Sequence, residues 1–481
     1  MIRLLVIEDD LEEARALEDA LVKPVALVVD RVRHAAEART MLHDNEYDLI
    51  VLDLALPPDE RRLAPEREEG LELLREALRN CPGTQVTVLS GHADLHLASE
   101  FTRLGGAEDL FGARVSEHMV TFFPKEALPD CVAAINAHLE KIIDLDTVEL
   151  DFDPQEVDLS VSNCRALRIF TRRTGGVRAV VEPLGGGLSK AKTLRLEAFE
   201  PEGGRTALAA VKLGARDRVK DEGDRYDTVV ARLPVGLGAP LVSTVYAGAG
   251  ATGALCYRLA DDYDRTLFGV IGADEAAAAA ASTRLEDRFA EWYEGAATAT
   301  ESVQEVRRRV VADRDLLPHL APEELELLRS VETLVVPTST CMQHGDLHGL
   351  NVLINSRGEP VIIDYGDVQR ANATLDPVTL ELSAIFHPDA APLGAGWPSE
   401  AQILHFCDEA AYVAECPYPA FVAACRRWAQ RAQRGREEWL ASAWAYAARQ
   451  LQYGNPTQPL ARALMRLTGE ALLDAAAPVG V

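Results

Sequence analysis

The chain has 481 residues, 48% of them hydrophobic and 26% charged, and a formal net charge of −27. That length exceeds one ordinary core and calls for about two to four domains, while so acidic a surface repels nucleic-acid phosphates and anionic lipid, which excludes both as main ligands. No apolar run is long enough to cross a bilayer, and the start, MIRLLVIEDD, lacks the cationic and apolar segments of a secretory leader, so a cytoplasmic protein is expected.

Residues 1–142 alternate short apolar runs with amphipathic stretches. RLLVIE, ALVVDRV, DLIVLDLAL, TQVTVLS and HMVTFF read as strands, and LEEARALEDALV, AAEARTMLHD, EGLELLREALRN, ASEFTRLGG and LPDCVAAINAHLEKI as the stretches between and after them. Five such strands predict an α/β fold, a doubly wound parallel sheet with helices on both faces. Ligands of such sheets bind beyond the carboxyl ends of the strands. There the sequence places Glu8 and Asp9, Asp53, Ser90 and Lys125. Three clustered carboxylates repel one another unless a hard divalent cation lies among them, and Mg²⁺ meets that need. Lys125 supplies a positive charge for a transferred phosphoryl group, Ser90 a hydroxyl, and Asp53 the nucleophile of an aspartyl phosphate.

This segment resembles the receiver domain of two-component response regulators along its whole length. The resemblance implies that Glu8, Asp9 and Asp53 hold Mg²⁺ and that Asp53 accepts a phosphoryl group from a sensor histidine kinase. It implies too that Ser90, Phe122 and Lys125 report the change, Phe122 standing at the aromatic switch position. Asp10 lies one place past the usual acidic pair. The loop LALPPDERRLAPEREEG and the stretch from Ser90 to Lys125 are longer than the family's, and Lys125 is followed by Glu126 instead of Pro. The second insertion falls on the face that receivers use to dimerise or signal; a homodimer is left open.

Residues 143–160, around DLDTVELDFDPQEVDLS, are acidic and without a long apolar period. They read as a linker or an edge strand between 1–142 and a second domain over 161–481. With no Ser/Gly tether there, communication through contact is expected. VRAVVEPL, TLRLEAFE and RTALAAVKLG read as strands, with GGGLSKAK between the first two. Gly185, Gly186 and Gly187 would let the backbone close over phosphates, although Gly-rich hairpins are common without that role. This is not a Walker loop, because it lacks the GKS/T ending and the helix. Lys212 lies on a strand and Glu222 on the helical stretch after it, the pairing by which kinases hold ATP phosphates. Further on, EAAAAAAS favours helix. Arg307, Arg308 and Arg309 form the densest basic run and predict a solvated helix face.

HGDLHGLN then places Asp346 and Asn351 five apart on one loop, and IIDYGDV places Asp364 at the end of an apolar run. Phosphoryl transfer needs a carboxylate against the acceptor hydroxyl and oxygen ligands for Mg²⁺. Asp346 suits the first role, Asn351 and Asp364 the second, and His344 braces the loop. Beyond residue 380 the pattern is helical, and Trp428, Trp439 and Trp444 read as core more readily than as a substrate platform. The eight cysteines show no CxxC pair and no metal-ligand spacing, which predicts reduced, buried thiols.

Residues 161–481 resemble the aminoglycoside phosphotransferase and choline kinase branch of the protein-kinase-like fold, on HGDLHGLN and IIDYGD. The resemblance implies an α+β two-lobed domain, with an N-lobe over about 161–262 and a C-lobe over about 263–481. It implies that Asp346 is the catalytic base, that Asn351 and Asp364 are metal ligands, that Lys212 is the phosphate contact and that Glu222 is its partner. It puts the adenine hinge near CYRLADDY (256–263). The family's Pro is missing from HGLN, and the Gly loop matches loosely. No APE motif follows DYG, which disfavours a protein kinase and favours a small-molecule acceptor. The expectation is a response regulator whose output is an ATP- and Mg²⁺-dependent phosphotransferase. A nucleotide-binding pseudoenzyme scaffold and a protein kinase acting on a macromolecule are the alternatives.

Overall fold

The computed structural model describes residues 2–476 except 23–26, 63, 92–102, 104, 185–191, 234–235, 261 and 395. It divides into two compact units, Met1–Gly223 with Leu241–Arg258, and Asp224–Pro240 with Leu259–Val481.

The first unit opens with β1 (Ile2–Ile7), α1 (Leu11–Ala20), β2 (Leu27–Val32), α2 (Ala35–Asp44), β3 (Leu49–Leu52), α3 (Arg67–Asn80), β4 (Gln85–Ser90), β5 (Val120–Pro124) and α4 (Leu128–Asp146). The five strands make one parallel sheet in the order β2-β1-β3-β4-β5, as the alternation of apolar runs predicts. Strands β3 and β4 are buried throughout because both faces are covered. Most of ASEFTRLGG lies outside the described residues. Between β4 and β5 a short hairpin pairs Ala107–Glu108 with Glu117–His118.

The chain continues with β6 (Glu149–Asp151), α5 (Val161–Arg173), β7 (Arg178–Pro183), β8 (Lys192–Phe199), β9 (Arg205–Ala215), α6 (Arg216–Thr228), β10 (Leu241–Val245) and β11 (Thr252–Arg258), the first unit ending within α6 and resuming at β10. Six strands form a second sheet in the order β10-β11-β9-β8-β7-β6. The acidic stretch after α4 thus supplies an edge strand, with β6 parallel to β7. Helix α5 begins in a capping box in which Ser160 and Asn163 satisfy each other's backbone N–H. Its Ala166, Leu167, Ile169 and Phe170 enter a core that also holds Leu139, Ile142 and Leu145 of α4 and Val211 and Cys256 of the second sheet.

The second unit is mostly helical. Its sheets hold β12 (Ala297–Ser302), β13 (Val335–Gln343), β14 (Val352–Ile354), β15 (Pro360–Ile362) and β16 (Gln369–Asn372). The Ala-rich tract forms the helix Glu275–Arg288, capped by Asp274. Helix α7 (Leu375–Phe386) is buried along its whole length and packs against α8 (Pro419–Ala432) and α9 (Arg436–Gln450). Trp428 and Trp444 are core residues. The arginine run departs from expectation. Arg307 is buried between Asp313 at 2.6 Å and Glu332 at 2.5 Å, because these two acids neutralise it there. Only Arg308 and, in part, Arg309 meet solvent. All eight cysteines are free and most are buried.

Candidate functional site

At the C-terminal edge of the parallel sheet, β1 delivers Glu8 and Asp9 and β3 delivers Asp53. One ligand oxygen from each lies within 4.8 Å of the others. The chain fixes them through its backbone, since Glu8 N donates to Val32 O at 3.1 Å and Asp53 N to Ile7 O at 2.9 Å. Glu8 and Asp53 are buried and Asp9 is half-buried. Burial, and after it the charge of Asp53, pushes the Glu8 carboxyl up to about 7 against the pull of Lys125. The same two causes raise Asp9. An acidic cluster strained in this way suits a divalent cation.

Lys125, the residue after β5, places Nζ 2.7 Å from Asp53 Oδ2 and 3.0 Å from Glu8 Oε2, and also pairs with Glu13. Burial alone would lower its pKa, but these carboxylates raise it. Ser90 ends β4 and is buried, in register with Pro124 just before Lys125. Phe122 packs half-buried against the core. Asp10 donates its backbone N–H to Glu8 Oε1 at 3.2 Å, while its side chain caps α1 by accepting from Glu12 N and Glu13 N.

In the second sheet Lys212 of β9 donates to Glu222 Oε2 of α6 at 2.6 Å, and Tyr257 of β11 donates to Glu222 Oε1 at 3.1 Å. Both charges are buried. Gly185, Gly186 and Gly187 lie outside the described residues. Of the stretch 256–263, Thr252–Arg258 is strand as far as Arg258, and Asp261 lies outside the described residues.

In the second unit the loop 344–351 joins β13 to β14. Asp376 at the start of α7 accepts from His344 N at 2.7 Å and Gly345 N at 2.9 Å, which fixes the loop from below. His344 Nε2 lies 3.1 Å from Ile363 O, so it ties this loop to the one bearing Asp364. Gly345 has φ +82°, and a Cβ there would stand 2.3 Å from Asp367 O. Asn351 Nδ2 donates to Asp346 O at 2.9 Å, leaving Oδ1 for a cation. Ile363 N donates to Asn351 O at 3.0 Å, and Asp364 follows with a left-handed φ of 65°, a conformation that is uncommon outside glycine. The structure therefore brings His344, Asp346, Asn351 and Asp364 together.

Three neighbours of Asp346 escape a reading of the sequence. Arg449, at the end of α9, donates from Nη1 to Asp346 Oδ1 at 2.8 Å. His348 Nε2 stands 3.7 Å from Asp346 Oδ2, and its ring lies 4.7 Å from that of His387. Burial would raise the Asp346 carboxyl, but Arg449, with His348 and His344, holds it well below the usual range. Burial lowers His348 against the pull of Asp346 and Asp364. HGDLHGLN shows His348 but not its orientation, and nothing local signals a partner 103 residues away. Trp439 stacks on Phe406 at 4.9 Å, and with Tyr412 these rings surround the guanidinium of Arg426, itself paired with Glu381 at 3.0 Å.

The family described as response regulator receiver domain matches residues 4–111, and the one described as phosphotransferase enzyme family matches residues 246–397. Protein PetR of Rhodobacter capsulatus is 30% identical over 198 residues, which cover 38% of this chain and 76% of that protein. A CheY-like receiver domain protein from Methanospirillum hungatei is similar at 20% identity and a TM-score of 0.23, over 30% of this chain and 98% of that one. An aminoglycoside-3'-phosphotransferase of type VIII is similar at 17% identity and a TM-score of 0.37, over 64% of this chain and 100% of that one. Among the described residues no helix is long and apolar enough to cross a membrane.

Proposed function

The chain belongs to the response regulators through its receiver domain and carries a phosphotransferase-family domain after it, and from that premise we propose a cytoplasmic regulator whose phosphorylation on Asp53 controls an ATP-dependent phosphotransferase. A sensor histidine kinase is the phosphodonor. In the receiver, Glu8, Asp9 and Asp53 would hold Mg²⁺, which neutralises the incoming phosphoryl charge. Lys125 exchanges Asp53 for the new phosphoryl oxygens, and Ser90 and Phe122 register the change.

In the output domain Lys212, held by Glu222, contacts the nucleotide phosphates. Asn351 and Asp364 would hold the Mg²⁺ that screens them. The oxygen of a hydroxyl-bearing small molecule forms a bond to the γ-phosphorus, and the bond to the bridging oxygen breaks with its electrons leaving on ADP. The hydroxyl proton passes to Asp346. The observation that carries this reading is the loop 344–351 itself. Asp376 and His344 hold its backbone so that Asp346 and Asn351 are fixed beside Asp364, and a plain loop has no need of that bracing.

The test is ATP–Mg²⁺ turnover by the full chain, before and after phosphorylation of Asp53, with a pooled set of small alcohols as acceptors. Asp346→Ala should lower turnover by about 100-fold or more and leave nucleotide binding in place. Asp53→Ala should abolish the response to the phosphodonor. Unchanged turnover in Asp346→Ala would remove the base from that position.

A further inference from the structure

The side chains gathered around Asp346 say something about the acceptor, on the reading that this domain transfers a phosphoryl group. Two of them are donors. Arg449 spends one guanidinium nitrogen on Asp346, and its Nε and Nη2 make no hydrogen bond to the described residues. His348 approaches Asp346 through Nε2, which in the neutral ring carries the proton and leaves its buried Nδ1 as an acceptor. His387, whose ring is tilted 33° to that of His348, accepts from Asp389 N at 3.2 Å through Nδ1. In the neutral ring that bond leaves the proton on Nε2, as another donor. The acids that face this group are Asp346 itself, Asp364, whose charge acts on His348, Asp367, whose charge acts on Arg449, and Asp389, 3.6 Å from His387.

We propose that the acceptor carries an oxyanion, a carboxylate or a phosphate, near its reacting hydroxyl, and that Arg449 and His387 form its subsite. A hydroxyl set against Asp346 puts the neighbouring part of the acceptor against Arg449. An ammonium there would meet a like charge. A neutral polyol would leave the guanidinium fork half used. An oxyanion fills the fork in the bidentate geometry that guanidinium favours and gives His387 Nε2 an acceptor. It also takes over the charge of Arg449 once Asp346 receives the hydroxyl proton and becomes neutral. The aromatic cluster that would suit a quaternary ammonium, Phe406, Tyr412 and Trp439, is already filled by Arg426.

The experiment is calorimetry on the full chain. A non-hydrolysable ATP analogue with Mg²⁺ is titrated first, and then glycerate, glycerol 3-phosphate, glycerol and choline are titrated separately. At least one anion should bind about tenfold or more tightly than glycerol and choline, and the stronger of the two anions identifies carboxylate or phosphate. Arg449→Gln should weaken anion binding by about tenfold or more with analogue binding kept. His387→Asn, a milder change, should weaken it in the same direction should Arg449→Gln fail to fold. Preference for glycerol or choline, no binding of either anion, or anion binding indifferent to both substitutions would overturn the subsite. Failure of the analogue to bind would instead strike the phosphotransferase reading and leave the anion titrations interpretable.

Discussion

His138 sits in α4 with its ring 5.1 Å from that of Phe111, edge to face, and its Nδ1 buried without a partner. Burial, helped by the charge of Lys141, depresses its pKa from 6.5 to about 3. The folded chain therefore keeps it neutral, while the unfolded chain protonates it at the ordinary value. Its contribution to stability is complete above about pH 6.5 and is lost as the pH falls toward the folded value, by about 3 kcal/mol at pH 4. His138→Leu should make α4 less sensitive to acid. Hydrogen exchange followed on peptides of Leu128–Asp146 between pH 7 and 4 checks this, and it is needed because all five tryptophans lie in the second unit. Equal acid sensitivity in the variant would show that the ring is not the titrating group. Legibility at this scale follows distance along the chain. Glu8, Asp53, Ser90 and Lys125 stand out because each ends an apolar strand, which a short continuous run of aliphatic and β-branched residues already marks. His348, His387 and Arg449 meet Asp346 only through tertiary packing, and a buried histidine such as His138 has no local mark at all.

Helix α5 is the element that the sequence hides best, and it joins the receiver to the second sheet. Its arginines break the apolar stripe by which a buried helix is recognised. Arg165 is buried and ion-paired with Asp48, and Arg173 bonds Asp109 Oδ2 at 2.9 Å, Asp109 O at 2.8 Å and the carbonyl of Thr244 in β10. The insertion before β5, an anomaly in the sequence, supplies Asp109, Leu110 and Phe111 to this junction. Two glycines let the backbones close there. Gly112 has φ +72° and would bring a Cβ to 2.4 Å from Ile169 O. Gly248 has φ +82°, donates to Gly83 O at 2.9 Å and would bring a Cβ to 2.1 Å from Leu110 O. Both neighbouring atoms are backbone and cannot swing aside. Gly248→Ala should therefore destabilise the first unit by about 2–4 kcal/mol. Faster hydrogen exchange in both α5 and the 105–119 segment would register it. Exchange that rises in neither would show the junction to be looser than its geometry.

At the scale of the chain, the consequence is that the receiver and the sheet bearing Lys212 are not separable bodies. The acidic stretch 143–160 reads in the sequence as a linker or an edge strand, and the chain does pass there from one sheet to the other, but the core does not stop. Leu139, Ile142 and Leu145 of α4 belong to one apolar cluster with Phe170, Val211 and Cys256. Apolar area removed from water is what holds such a cluster, at about 25 cal/mol per Å². A chain beginning at residue 153 would leave the α5 and β-sheet side of that cluster facing solvent. It should be recovered mainly as aggregate, and any soluble fraction should bind a hydrophobic dye far more strongly than the full chain. A monomeric, dye-negative fragment with the thermal midpoint of the full chain would mean that the shared core contributes nothing. The same continuity bears on control. A change at Asp53 reaches Lys125 and β5 directly, and the segment just before β5 is the one whose Asp109 grips Arg173. Arg173 in turn holds the strand next to β11, which carries Tyr257 and through it the Glu222 that positions Lys212. On the proposed reading, a phosphoryl group on Asp53 acts by shifting packed contacts along this route. Arg173→Ala should for that reason uncouple nucleotide turnover from the phosphodonor without abolishing phosphorylation of Asp53.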